Sequence, residues 1–282
     1  MNGAEEKRLS RMVFLGTGTS QGVPIIGCHC EVCASGDARD KRLRTSVALE
    51  SPTSRVVIDT GPDFRTQMLR EGFDSLDAVV YTHEHKDHLA GMDDVRPFNY
   101  IQKRAMVLHA SARVEEALKR DFHYAFDENK HGGVPNVTIE RVKDEDHFIA
   151  GGMPWRPLPV MHGALPIHGF RVEDVAYITD ANDIPDATLS HMQNLEVLVL
   201  NALRPNPHYS HFSLEEALEA AEKIGAQRTY FTHISHLMGR HADVEKQLPR
   251  GVRLAHDGLV LVRQDEGWQE EHSPWLSQMF AS

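Results

Sequence analysis

Short apolar runs punctuate the chain from end to end. "MVFLG" (12–16), "SVALES" (46–51), "RVVIDT" (55–60), "DAVVYT" (77–82) and "AMVLHA" (105–110) are strand-length and rich in Val, Leu and Ile, the signature of buried β-strands. "VAYITD" (175–180), "VLVLNA" (197–202), "RTYFTH" (228–233), "VRLA" (252–255) and "LVLVR" (259–263) continue the series. Between these runs, residues 63–72, 111–122, 213–226 and 243–248 read as helices. The third has Ser213 at its N-cap, Glu216 three positions on and Gly225 at its stop, a full set of start and stop signals. Residues 127–155 are polar and predict hairpins and loops. Strands that meander and then alternate with helices, a habit the second half repeats, predict an α/β layered fold with mixed sheets. No short-period repeat, low-complexity tract or long Pro/Gly/Ser linker interrupts it, so residues 1–282 read as one domain.

Composition narrows the function. With 41% hydrophobic and 25% charged residues, the chain can bury a large core. A net charge of -11 argues against a broad basic face for tracking nucleic acid. The polar N-terminus and the lack of any apolar stretch near about 18 residues predict a cytoplasmic protein with no membrane contact. All three cysteines fall between positions 28 and 33, too close together for an ordinary disulfide framework, so metal binding is the better reading.

Histidine and aspartate stand at the ends of the apolar runs: His83, His162, Asp180 and His233 each follow a strand. Strand ends are where a rigid sheet delivers side chains to one point. In "HEHKDH", His83 and His85 can reach one ion, whereas the adjacent Asp87 and His88 must point elsewhere. That geometry suits two neighbouring ions about 3.5–4 Å apart with a bridging carboxylate, for which Asp180 is the natural choice. Imidazoles with a few carboxylates fit Zn, Mn or Fe better than Ca or Mg. The "GTGTSQGVP" run lacks the lysine of a P-loop and the spacing of a dinucleotide fingerprint, and reads as a tight turn near the metals.

"HEHKDH" matches the HxHxDH motif of the metallo-β-lactamase fold superfamily, and "MHG", "ITD" and "FTH" follow in the order of its other ligands. The chain resembles that superfamily over nearly its whole length. The resemblance implies a four-layer αββα sandwich with two mixed sheets. It also implies one metal on His83, His85 and His162, a second on Asp87, His88 and His233, and Asp180 between them. Asp59, at another strand end, is implied as a support that accepts an imidazole N–H and fixes a ligand tautomer. Asp63 and Arg65 read as turn and capping residues.

"GCHCEVC" places Cys28, Cys30 and Cys33 on a loop after the first strand. Three thiolates leave a tetrahedral zinc one ligand short. His29 would strain the chelate, and His236 in "THISH" is the better fourth ligand; a reduced, metal-free loop is the alternative. The loop and the THISH segment resemble a narrower subgroup, the cyclic-phosphoribosyl phosphodiesterases of phosphonate breakdown, which implies a structural zinc on Cys28, Cys30, Cys33 and His236.

Two ions sharing a hydroxide make a nucleophile at neutral pH and neutralise charge on a phosphoryl oxygen, so hydrolysis is the expected reaction. A leaving alkoxide needs an acid, and "RPNPHYSHFSLEEAL" offers His208 and His211 before the capped helix. His211 is the preferred acid, joining Asp87 and Asp180 in the catalytic set. His208 is balanced between a substrate contact and a plain loop residue. Related phosphodiesterases and tRNA 3′-processing endonucleases carry a histidine resembling His211 ahead of a small hydroxyl residue and the same helix, with Ser213 and Ala217 in register. The acidic charge and the lack of an extended arm speak against tRNA, leaving a small phosphodiester, cyclic phosphate or nucleotide. A thioester or lactone hydrolase and a non-hydrolytic accessory protein are the other readings; the intact ligand set opposes the second. Zn and Mn both suit the catalytic pair. Homodimers are common in the resembling family, and nothing in these residues bears on them. Arg96, Phe98, Asn99 and Tyr100 either line the pocket or pack. His109, His123, His131, His147, His168, His191 and His256 read as surface or structural.

Overall fold

The computed structural model describes residues 7–127 and 132–281; His131 lies outside them. The chain first lays down β1 (Arg11–Gly16), β2 (Ser46–Ser51), β3 (Ser54–Ile58), β4 (Ala78–Val80), β5 (Met106–Ala110) and β6 (Val137–Arg141). It then forms β7 (Phe148–Ala150), β8 (Met153–His162), β9 (Leu165–Val172), β10 (Val175–Ile178), β11 (Val197–Asn201), β12 (Arg228–Thr232) and β13 (Val252–Leu254). It closes with β14 (Leu259–Gln264) and β15 (Gly267–His272). One sheet runs β15-β14-β1-β2-β3-β4-β5-β6 and the other β13-β12-β11-β10-β9-β8-β7. Both are mixed: β3 to β6 and β10 to β13 pair in parallel, while the remaining neighbours are antiparallel.

Alternation along β1 shows how the layers arise, because successive strand side chains point to opposite faces. Met12 and Phe14 join Trp155, Phe170 and Tyr230 in the core between the sheets. Val13 and Leu15 face the other way and pack with Phe64, Val114 and Leu118 of the outer helices. On the second sheet, Ile178, Leu198 and Leu200 pack against Ala217, Ala221 and Ile224 of helix Leu214–Ile224. Central strands are therefore buried on both faces, which is why they read as continuous apolar runs. Each fully buried Leu or Phe contributes about 1.5–3 kcal/mol. The result is the four-layer αββα sandwich with two mixed sheets.

Helix Leu214–Ile224 carries the full capping box of Ser213 and Glu216 and ends on Gly225 at φ 70°. The helix expected at 243–248 starts earlier, at His241, and ends at Glu245. The described residues between 132 and 155 hold strand as well as loops: β6 adds in parallel to β5, and β7 and β8 form a hairpin. The sequence patterns also miss β9 and β15. Gly169 breaks the apolar rhythm of β9, yet a side chain at that position would press on Tyr177 and Ile178 of β10. β15 pairs only with β14, and its polar "GWQEEH" is the composition of an edge. Asn99 is a brace, with its side chain bonded to the carbonyls of Arg104 and Asn136 and to the Asn136 N–H, and Phe98 is core. Among the described residues, no helix is long and apolar enough to cross a membrane.

Two glycines press the turn after β3 onto the histidine motif. A methyl on Gly61 would run into the Asp87 carbonyl oxygen, and one on Gly91 into the Gly61 carbonyl oxygen. Both obstacles are backbone, which cannot rotate away. Gly61→Ala is therefore expected to cost about 3 kcal/mol or more of stability, read as a lowered midpoint in urea unfolding.

Candidate metal centre

Asp59, Asp180 and His233 follow β3, β10 and β12, and their φ angles are 65°, 60° and 55°. This left-handed region is uncommon for residues other than glycine, and such strain clusters at functional sites. Each bend turns a side chain inward at the end of its strand.

Two ligand groups result. His83, His85 and His162 bring one nitrogen each within 4.8 Å of one another, and Asp87, His88, Asp180 and His233 do the same beside them. Among the described residues the structure brings together the side chains named for each set, and it also gathers His211 with His162 and Asp180. His83 Nε2 lies 3.0 Å from His85 Nδ1. Asp180 stands at the junction: its Oδ2 is 3.3 Å from His88 Nε2 and 3.1 Å from His233 Nδ1, and its Oδ1 is 3.0 Å from His211 Nε2.

Hydrogen bonds on the far side of the rings decide which lone pairs face inward. His162 Nδ1 donates to the Ser210 carbonyl at 2.7 Å, leaving Nε2 for the cluster. Asp59 takes Nδ1 of His88 at 2.7 Å. The same carboxylate accepts the Thr82 N–H at 2.9 Å and the Thr82 hydroxyl at 2.8 Å, and that hydroxyl lies 3.0 Å from His83 Nδ1. One buried carboxylate thus orients a ring in each group, directly for His88 and through Thr82 for His83. Thr82, immediately before "HEHKDH", is the residue sequence reasoning overlooked.

The donor set fits divalent cations on a test internal to the structure. His88 Nε2 is buried and has no hydrogen-bond partner, although carboxylate oxygens of Asp87 and Asp180 lie 3.2 and 3.3 Å away. A buried nitrogen left without a partner is costly, whereas a lone pair aimed with two carboxylates at one point is what a metal requires. Burial pushes the pKa of His83 well below its usual value and that of His233 down to about 4, so these rings are neutral near pH 7. Burial alone would raise Asp180, but His233, His88 and His211 hold it well below the carboxylate range.

The second cluster shares no ligand with the first. Cys28, Cys30 and Cys33 place their sulfurs 3.3, 3.4 and 3.6 Å from His236 Nδ1. Three thiols and one imidazole supply the four ligands that a structural zinc would need. The Cys33 N–H and His236 pull the Cys30 thiol down to about 6, while burial pushes Cys33 up to about 11. Backbone bridges join the segment after β1 to the THISH strand end: Ile234 N–H donates to Thr17 and Thr19 N–H to Ile234. His233 and His236 sit on either side of that seam.

The other residues singled out in the sequence are more widely spread. His211 stands over both ligand groups, its ring 4.6 Å from His162 and 5.0 Å from His233, and His208 lies 5.0 Å from it. Asp63 occupies an N-cap position but makes no cap bond; its carboxylate holds the Arg44 guanidinium at 3.0 Å. Arg65 is exposed. Arg96 donates to the Gly133 carbonyl at 2.6 Å, away from the ligand groups. A cavity of about 610 Å³ opens beside His83. Its cations are already matched: Arg113 with Glu84, Arg141 with Glu115 and Lys143 with Asp146.

The profile of the beta-lactamase superfamily domain matches residues 54–234, the span from β3 to the THISH segment, and the chain belongs to that superfamily, with the metallo-β-lactamase fold. A crystal structure described as a new diphosphatase from the PhnP family is 45% identical, with a TM-score of 0.84, and the match covers 89% of this chain and 96% of that one. At that identity and coverage the chain belongs to the PhnP family. The zinc-bound PqqB of Methylobacterium extorquens, 20% identical with TM-score 0.72 over 89% of this chain and 99% of that one, shares the fold. In sequence, an octanoyltransferase of Porphyromonas gingivalis is 37% identical over 259 residues, 91% of this chain and 52% of that protein. The chain thus spans about half the length of that relative. A ribonuclease Z of Mycobacterium sp. (strain KMS) is 26% identical over 70% of this chain and 79% of that protein. The fold and the His/Asp clusters imply divalent metal ions.

Because Asp59 orients rings in both groups, Asp59→Asn is expected to weaken divalent-metal binding about 10–100-fold while the amide keeps the Thr82 N–H bond. Competition against a chromogenic chelator measures this; unchanged affinity would show that the rings hold their places without the carboxylate.

Proposed function

We propose that the protein is a phosphodiesterase that hydrolyses small phosphodiesters, cyclic phosphates or nucleotide esters at a dinuclear centre. His83, His85 and His162 hold one ion, Asp87, His88 and His233 the other, and Asp180 joins them. Two divalent cations, Zn or Mn, would supply a nucleophile from water near neutral pH and draw charge from a phosphoryl oxygen. The chain's own residues do the rest. Asp59 and Thr82 hold the imidazoles in the ligating tautomer, and His211 delivers a proton to the leaving oxygen.

The observation that carries this reading is the position of His211. It shares His162 and Asp180 with the two ligand sets as neighbours, its ligand atom within 4.8 Å of theirs, and its Nε2 is 3.0 Å from the shared carboxylate of Asp180. The ring faces a nitrogen ligand of each ion. An imidazole there is placed to protonate an alkoxide, a role that contributes about 10²–10⁴-fold. The PhnP-family diphosphatase supports a phosphorus substrate, and the ribonuclease Z relative supports phosphodiester cleavage. Nucleic acid is disfavoured by the charge of -11. A structural zinc on Cys28, Cys30, Cys33 and His236, together with the reduced thiols it needs, suits the cytoplasm.

A second reading, acyl hydrolysis, draws on the Porphyromonas gingivalis octanoyltransferase. The half of that relative which this chain does not match is available for the named transfer, so the phosphodiester reading comes first.

The test is hydrolysis of bis(p-nitrophenyl) phosphate and a nucleoside 2′,3′-cyclic phosphate beside an octanoyl thioester and a lactone, with Zn- or Mn-loaded protein. Phosphodiester turnover that falls at least about a hundredfold in His211→Ala, at unchanged metal content, is the expected result. Turnover confined to the acyl substrates would replace the reading with the second. Cys33→Ser is expected to release the structural zinc, seen by elemental analysis, and to lower the thermal midpoint together with activity, because the seam transmits the loss.

A further inference from the structure

Tyr209 is 83% exposed, two positions before His211. A lone exposed aromatic is ordinary on a surface, but this one is built into the site. Its ring lies 4.6 Å from the His208 ring at 36°, and His208 lies 5.0 Å from His211. A continuous row of rings therefore runs from open solvent to the shared carboxylate. One face of Tyr209 leans on His208, and its exposure leaves the other free.

The segment that presents the ring is held on both sides. Arg204 spends its guanidinium on the carbonyls of Asn206 and Pro207, at 3.2 and 2.9 Å. The next carbonyls along are also used: Tyr209 O accepts from Asn182 at 3.4 Å and Ser210 O accepts from the His162 ring at 2.7 Å. A fixed backbone beneath a ring that stays in water contributes nothing to the core. It does lower the entropy cost of binding a flat partner. The Arg204 charge at the root of the same loop favours an anion.

We propose that Tyr209, backed by His208, is the stacking platform for the heteroaromatic base of a nucleotide, and that it makes the substrate a nucleotide ester. This rests on the phosphodiesterase reading and specifies its substrate class. Because the platform shares a loop with His211, the base sits on the leaving-group side. Water's oxygen forms the new bond to phosphorus and gives up a proton to solvent, the ester bond to the nucleotide breaks, and the departing oxygen takes the His211 proton. A positioning role for Tyr209 follows: it touches the base and leaves the reacting atoms to others.

Equilibrium binding tests the platform apart from turnover. Calorimetry with metal-loaded protein compares a nucleoside 5′-monophosphate with ribose 5-phosphate, its counterpart without a base. The wild-type protein is expected to prefer the nucleotide by about tenfold to a hundredfold, the worth of one base–aromatic stack. Tyr209→Phe should keep that preference and Tyr209→Ala should lose it. Equal affinities in the wild-type protein, or a preference that survives in Tyr209→Ala, would overturn the proposal. So would a Tyr209→Ala variant that keeps the preference but changes its sedimenting mass, which would assign the ring to a contact between copies. Failure of the phosphodiesterase reading would show separately, as absent phosphoester turnover with the base preference intact.

Discussion

A single carboxylate with no exposure to solvent, Asp59, constrains the centre more than any other group. Burying an anion is expensive unless hydrogen bonds replace its water, and Asp59 finds three: two from Thr82 and one from the His88 ring. Burial pushes its pKa up, against the pull of His88. The turn that carries it adopts a left-handed conformation, and Gly61 beyond it leaves space for the Asp87 backbone. The ligand geometry, the strained turn and the glycine contacts are therefore parts of one arrangement around a buried charge.

Much of this was legible in the residues themselves. Strands buried on both faces announce themselves as apolar runs, His83, His162, Asp180 and His233 stand where those runs end, and the resemblance to the superfamily supplied the expected ligand sets. The helix after His211 was readable because Ser213, Glu216 and Gly225 are local signals whose meaning does not depend on the rest of the fold. The strands that escaped notice obey other constraints. β9 contains a glycine because β10 lies too close for a side chain, and β15 is polar because it forms an edge; both facts belong to neighbours distant in sequence. Thr82 was invisible for a related reason: a threonine closing an apolar run reads only as a good strand former, and its relay to His83 appears only when Asp59 is seen beneath it.

The two candidate metal clusters illustrate different uses of a common chemistry. In the first, carboxylates and imidazoles crowd together in a partly open cleft, with His85 exposed beside the buried His83. In the second, three sulfurs and one ring nitrogen form a closed set. The segment between His233 and His236 belongs to both, and its backbone is pinned to the turn after β1. A shift in either cluster is therefore passed toward the other through only two intervening residues, Ile234 and Ser235.

The position of β1 sets the order in which the molecule can be assembled. It lies between β2 and β14, and Met12 pairs with Leu261 across nearly the full length of the chain. Contacts so remote in sequence carry a large loop-closure cost and form late. On a ribosome, every ligand of the candidate centres emerges before β14 does. Until β14 arrives, β1 presents an unpaired edge that invites other chains. The nascent protein must hold its metal-binding groups ready while its first sheet is still open.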